Sequence, residues 1–286
     1  MVSGNKILGG ALLFTLVSTC DSLPSSVRAL SNGKVLIDIT VDERNRLVER
    51  LGFTNSSGGY LHRDSTGDRL WFNIDLRRNN RPPEALLVVV STNGVRMKPW
   101  RIANERMSDD EELAVWEERT NATYKVRSGE GFPERSFFHD TSGDWIALGG
   151  QGRSPWLAKL DTPATVAVEL PATHSWIRIF AQGQTVHVFS RPGWRNAEGP
   201  MRYLVYDFAR GSQTVQDRSF SWARAALDMD PSIGMAVIHD NNSFWGRAWL
   251  IDLKTGKRKA IRTASWTFFL KRELAEKWID LTRRRP

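Results

Sequence analysis

Trp249-Leu250-Ile251-Asp252-Leu253-Lys254-Thr255-Gly256-Lys257 decides how this chain is built. An apolar run ends at an acid, a Thr-Gly pair turns the chain, and a basic run leaves the turn. Trp249 and Ile251 favour an extended backbone, and Gly256 supplies the freedom that a tight turn needs. The same design stands at Tyr203-Leu204-Val205-Tyr206-Asp207-Phe208-Ala209-Arg210-Gly211. It stands again, ending in proline, at Trp156-Leu157-Ala158-Lys159-Leu160-Asp161-Thr162-Pro163. Asp161 to Asp207 is a step of 46 residues and Asp207 to Asp252 a step of 45. Weaker copies lie upstream at Glu117, after Ala114-Val115-Trp116, and at Asp75, after Trp71 to Ile74, at steps of 44 and 42.

A second element recurs ahead of these marks. His62-Arg63-Asp64-Ser65-Thr66-Gly67-Asp68-Arg69-Leu70-Trp71 parallels His139-Asp140-Thr141-Ser142-Gly143-Asp144-Trp145-Ile146. Both read as an Asp-rich turn feeding an apolar strand. Traces of it remain at Gln182-Gly183-Gln184 and at Asp230-Pro231-Ser232. Each unit therefore holds several short strands between Gly, Pro, Asn or Asp turns, and a four-stranded propeller blade takes about 40–45 residues. One such blade cannot cover both of its faces, so it stacks on its neighbours until the ring closes. Large aromatics fill the wedge between blades, which gives the twelve tryptophans a place. The two Asp-rich turns resemble those of the β-propeller superfamily, in particular TolB-like and WD-repeat-like blades. Gly-Asp stands here where TolB-type repeats carry Asp-Gly. The resemblance spans roughly Gly58 to Thr263 and implies architecture; propellers host enzymes, receptors and scaffolds alike.

The expected fold is all-β, a single propeller. Counting Asp38, Asp75, Glu117, Asp161, Asp207 and Asp252 gives six blades. Val35 to Thr40 lacks preceding strands, and Trp266 to Leu270 with Trp278 to Leu281 lacks following ones, so the two ends are expected to complete each other. A rival reading makes Thr40-Val41-Asp42-Glu43 a capping box that starts a helix to Leu51, ended by Gly52. Helix formers also fill Lys271 to Trp278. Helical ends leave five blades, and seven is a further alternative.

The first twenty residues read as an export signal. Lys6 supplies charge, and Ile7 to Val17 is an apolar run too short for a bilayer but suited to a signal-peptide core. Val17-Ser18-Thr19-Cys20 then resembles the bacterial lipobox, with Thr19 where Gly, Ala or Ser is usual. Cys20 is the one cysteine of the chain. This divides the chain into a signal peptide at 1–19, a lipidated tether at 20–33 and a propeller at 34–286, with Cys20 the lipidation site. A single cysteine excludes an intrachain disulfide.

Length and composition exclude a disordered chain: 286 residues, 41% hydrophobic and 25% charged. The formal net charge is +8, with basic clusters at Lys254 to Arg262, at Arg77-Arg78 with Arg81, and at Arg283-Arg284-Arg285. Behind an export signal these are either a solvated basic surface or point away from nucleic acid and towards anionic lipid, lipopolysaccharide or an acidic protein.

No catalytic motif is recognisable. His62, His139, His174, His187 and His239 stand in no zinc-ligand spacing, so no metal or cofactor is expected. His62 and His139 read as turn residues. Asp64/Asp68, Asp140/Asp144 and Asp228/Asp230 could serve a glycosidase or a calcium ion, but their Ser, Thr and Gly neighbours favour turn chemistry. Asp161, Asp207 and Asp252 recur blade by blade, as a fold role requires. Gly149-Gly150-Gln151-Gly152 lies between two strands and reads as a hairpin loop. The expected function is that of a monomeric envelope lipoprotein, facing the periplasm from the inner or the outer membrane. Its propeller binds or scaffolds a protein partner and catalyses nothing. A glycan hydrolase with acids at the funnel, and an immunity protein against an antibacterial toxin, are the alternatives.

Overall fold

Val27–Ala29 (β1) and Lys34–Ile39 (β2) open the ring as an antiparallel pair, and Val41–Arg50 (α1) follows. The computed structural model describes residues 27–53, 58–64, 66–76, 84–101, 112–117, 122–127, 136–150, 153–171, 176–192, 199–211, 213–240 and 247–283. The first blade is a sheet of β3 (His62–Arg63), β4 (Arg69–Leu76), β5 (Glu84–Ser91) and β6 (Gly94–Arg101). A hairpin of β7 (Glu112–Glu117) and β8 (Ala122–Arg127) comes next. The second blade holds β9 (Ser136–Ser142), β10 (Trp145–Gly150), β11 (Arg153–Lys159) and β12 (Thr162–Glu169). The third holds β13 (Trp176–Gln182), β14 (Thr185–Arg191), β15 (Met201–Asp207) and β16 (Gln213–Phe220). The fourth holds β17 (Ala223–Asp230), β18 (Met235–Asp240), β19 (Arg247–Asp252) and β20 (Arg258–Arg262). Trp266–Lys271 (β21) and Arg272–Thr282 (α2) end the described chain.

The protein is an all-β propeller of five blades with two short helices. The count of six is corrected at Glu117. That mark falls in a two-stranded hairpin rather than on the third strand of a blade. Asp75 is out of step too, since it lies on β4, the second strand of its sheet. The three strong marks keep one position: Asp161 follows β11, while Asp207 and Asp252 end β15 and β19, the third strand in each case. Two of the three carboxylates cap the turn. Asp207 accepts from Ala209 N at 3.1 Å, and Asp252 from Lys254 N at 2.9 Å and Thr255 N at 3.0 Å. The Asp-rich element also keeps one position, the turn from first to second strand. Gly67, Gly143, Gly183 and Gly234 sit there in four blades with φ between 56° and 74°.

The fifth blade joins the two chain ends. β2 pairs with β21 from Lys34↔Lys271 to Ile39↔Trp266, so the sheet runs β1-β2-β21. The expected completion of one end by the other holds, and so does the rival helix, because each end is a strand followed by a helix. Thr40 Oγ1 accepts from Glu43 N at 3.1 Å, and the Glu43 carboxylate accepts from Thr40 N at 3.0 Å, which closes the capping box. Trp278 to Leu281 is helix, not strand. Leu274, Ala275 and Trp278 share one face of α2, and all three are buried against Leu47 and Val48 of α1. The reading of 20–33 as tether is corrected in its second half. Val27 is buried, and β1 pairs with Val35 to Ile37 of β2.

Aromatic side chains fill the wedges as the composition requires. Between the third and fourth blades, Phe189 stacks on Tyr203 at 4.8 Å, and both lie in one core with Phe220, Met229 and Ile238. Between the second and third, Trp145 is buried, donates Nε1–H to Gly183 O at 3.1 Å and stacks on Phe208 at 4.1 Å.

Candidate functional site

The first strands of the blades and β21 meet through carboxylates placed between them. Asp140 on β9 accepts from the next blade, from Ile179 N and from Arg178 Nε, both at 2.9 Å. Ser142 Oγ accepts from Ala181 N at 2.9 Å two residues further along both strands. Asp228 on β17 repeats the device: its Oδ2 accepts from Phe269 N of β21 and from Arg63 Nε of β3, each at 2.7 Å. Arg63 also donates to the carbonyls of Asp64 and Met229. The Asp228 carboxylate thus ties the first blade, the fourth blade and the closing sheet together.

Lysines extend this seam. Lys34 of β2 pairs with Asp230 at 3.1 Å and donates to Thr66 O at 2.6 Å. Lys271 of β21 pairs with Asp68 at 2.6 Å, and its backbone N–H donates to Gly67 O at 3.0 Å. Gly67 has to be glycine here: a Cβ would lie 2.8 Å from Phe269 O. Burial by itself would lower the Arg63 pKa, but Asp228, Asp230 and Asp64 outweigh it and raise it. Burial would raise Asp230, yet Ser232 and Lys34 hold its carboxyl below the usual range. Desolvation raises Asp140, with Arg178 opposing it.

The three carboxylate pairs are therefore occupied by the fold. Asp64 Oδ1 accepts from Asp68 N at 2.7 Å and Arg69 N at 3.1 Å, as a turn residue does. Asp140 and Asp228 bridge strands, and Asp230 accepts from Ser232 N at 2.9 Å. Among the described residues no three of His, Cys, Asp and Glu converge as a metal ion requires. Gly149 and Gly150 end β10 and Arg153 begins β11, so the glycine run lies between two strands of one sheet, with residues 151–152 outside the described ones. Cys20, His174, Arg77, Arg78, Arg81, Arg284 and Arg285 also lie outside the described residues. Arg283 forms an ion pair with Glu43 of the capping box.

The remaining histidines are held neutral. His62 stacks on Trp71 at 4.2 Å. Desolvation, then the positive charge of Arg178 of the third blade, push its pKa down to about 4. Burial does the same for His139 and His187, each pushed down to about 4, and lowers His239. His187 Nδ1 lies 2.8 Å from the Tyr203 hydroxyl. A histidine whose folded pKa lies below its unfolded value near 6.5 takes up its proton more readily when unfolded. Its contribution is complete above about pH 6.5 and is lost as the pH falls towards 4. Asp38 and Asp140, raised by burial, act with the opposite sign, but they are two against four. The melting temperature is expected to fall by several degrees between pH 7 and pH 4.5. His187→Gln should flatten that slope, and an unchanged slope would assign the acid sensitivity elsewhere.

Arg63 and Arg178, the pivots of this seam, escape a sequence reading centred on acids and histidines. The available signal is the single charge in the apolar run Trp176-Ile177-Arg178-Ile179-Phe180, since a charge on a strand with two apolar faces needs a partner.

Arg258, Lys259 and Arg262 are exposed on β20, the outermost strand of the fourth blade. The Arg258 guanidinium lies 4.7 Å from the ring of Trp222 and 4.6 Å from that of Trp249, a double cation–π contact.

No family model and no curated protein matches this chain. Solved structures are distantly similar, among them three of differing kinds. A eukaryotic initiation factor aligns at 9% identity and a TM-score of 0.38, over 86% of this chain and 65% of that one. The WD40 domain of Toxoplasma gondii coronin aligns at 11% identity and 0.33, over 73% and 68%. A Bacteroides fragilis protein described as a 6-phosphogluconolactonase aligns at 11% and 0.32, over 85% of each chain. The chain thus spans just under two thirds of the first of these.

Proposed function

We propose that this propeller is the exported, lipid-anchored part of the bacterial cell envelope that its first twenty residues describe, and that it binds or scaffolds another envelope protein without catalysing a reaction. The observation that carries this reading is the fate of the inner carboxylates. Asp140 and Asp228, on the first strands of their blades, accept backbone N–H groups and arginines of neighbouring blades. An acid held in that way keeps the ring together; a glycosidase needs a pair free to face its substrate. The first described strand begins at Val27, seven positions beyond Cys20.

Acylation of Cys20 is tested by growing cells with a clickable palmitate analogue. The wild-type chain is expected to carry the label and to sediment with membranes. Cys20→Ala should lose the label completely and leave the membrane fraction. Equal labelling of the two proteins ends the lipoprotein reading.

A further inference from the structure

The chain from Arg247 to Thr263 holds six basic residues and one acid, five of the eight net charges of the protein. The acid, Asp252, is committed to its turn by Lys254 N and Thr255 N. Lys254, Lys257, Arg258, Lys259 and Arg262 are exposed, as is Arg247. Basic residues on an outer strand discourage pairing with other chains, but this edge has two features that role does not require. Arg258 is clamped between two half-buried indoles, Trp222 and Trp249, themselves in edge contact at 6.2 Å. Indoles of this kind suit a boundary between headgroups and water. Strand β20 also lies beside the start of the fold: Ile261, its one buried side chain, packs in a single cluster with Leu36 of β2 and Leu30, the residue after β1.

We propose that this edge, β20 with the β19–β20 turn, is the face that the protein lays against an anionic lipid surface. The proposal rests on the lipid-anchored reading. Six residues separate Cys20 from Val27, and the seven extended steps between the two reach at most about 25 Å. An acyl anchor at Cys20 therefore keeps β1, and with it the neighbouring basic edge, close to the bilayer. The potential of anionic headgroups fades over a Debye length of about 8 Å, so only a face held near the surface responds to it. Of the two chain ends and the blades they join, this edge is where anchor and charge coincide.

The test is lysine footprinting of the full-length purified protein. It is mixed with vesicles of phosphatidylcholine alone or of phosphatidylcholine with phosphatidylglycerol, and acetylated with a water-soluble reagent. With phosphatidylglycerol, Lys254, Lys257 and Lys259 are expected to react about five-fold more slowly, while Lys159 of the second blade stays unchanged. High salt should abolish the protection. The variant Lys257→Glu/Lys259→Glu/Arg262→Glu should lose the protection at Lys254 yet melt as wild type, because all three side chains are exposed. No protection on phosphatidylglycerol overturns the proposal even when the protein floats with both kinds of vesicle through Cys20. Protection supplied by an acidic envelope protein and not by lipid overturns it as well. Failure to float on phosphatidylcholine removes the anchor alone, since the phosphatidylglycerol arm reads the lysines either way.

Discussion

Deleting residues 266–286 is expected to unfold the protein, not to trim it. The deletion removes β21, the partner of β2 from Lys34 to Ile39, and with it the closing sheet. It also removes Phe268, Phe269, Leu270, Leu274 and Trp278, all buried. At roughly 1.5–3 kcal/mol for each large apolar side chain, that loss is comparable with the whole stability of an ordinary domain, about 5–15 kcal/mol. The inner faces of the first and fourth blades become exposed together, and β2 is left as a bare edge prone to aggregation. A chain that begins at Ser26 keeps β1 and should melt like the full-length protein. Thermal melts of both truncations decide the matter. A C-terminal deletion that melts at the wild-type temperature would show that α2 and β21 are accessories to a ring closed by other means.

Asp228→Ala should be the most damaging single substitution in the seam between blades. Its carboxylate is almost fully buried, with 3% of the side chain exposed, and its arginine partner has 6%. Removing one member of a buried pair strands the other in a medium that cannot solvate it, at about 3–5 kcal/mol. The Phe269 N–H loses its acceptor in the same stroke. Arg63→Ala should cost a similar amount, because it strands Asp228 instead. The pair Arg202–Asp217 provides the control, since it joins two outer-face side chains that are 32% and 45% exposed. Exposed pairs are worth about 0.2–1 kcal/mol, so Asp217→Ala should shift the denaturation midpoint only slightly. Equal shifts for Asp228→Ala and Asp217→Ala would mean that the seam is wetter than its geometry indicates.

Local chemistry was legible wherever it depends on neighbours in the chain. The turn acids Asp207 and Asp252, the glycine of the Asp-rich turn and the capping box at Thr40 and Glu43 all involve partners within five residues, so spacing alone reveals them. The repeat, and with it the propeller, follows from the same local signals recurring at one interval. The closing sheet was legible for a different reason: two incomplete units at opposite ends of a repeat array each need what the other has. The hairpin at Glu117 was not legible as such. An apolar strand ending at an acid looks the same in a hairpin and in a blade, and only the number of strands it joins separates them. β1 escaped notice because three residues in a Ser-rich stretch carry too little pattern to stand out from a tether.

The candidate site belongs to the tertiary structure. Arg63 and Asp228 are 165 residues apart and Asp140 and Arg178 are 38 apart. Nothing in either local sequence distinguishes a carboxylate that will accept a neighbouring blade's N–H from one that will cap its own turn. That choice is made when the ring closes and brings the inner strands within hydrogen-bonding distance, where a buried acid must find donors or lose its charge. The same holds for the basic edge. Its charge is written in Lys254 to Arg262, but its place beside β1 exists only because β2 and β21 draw the two ends of the chain into one sheet.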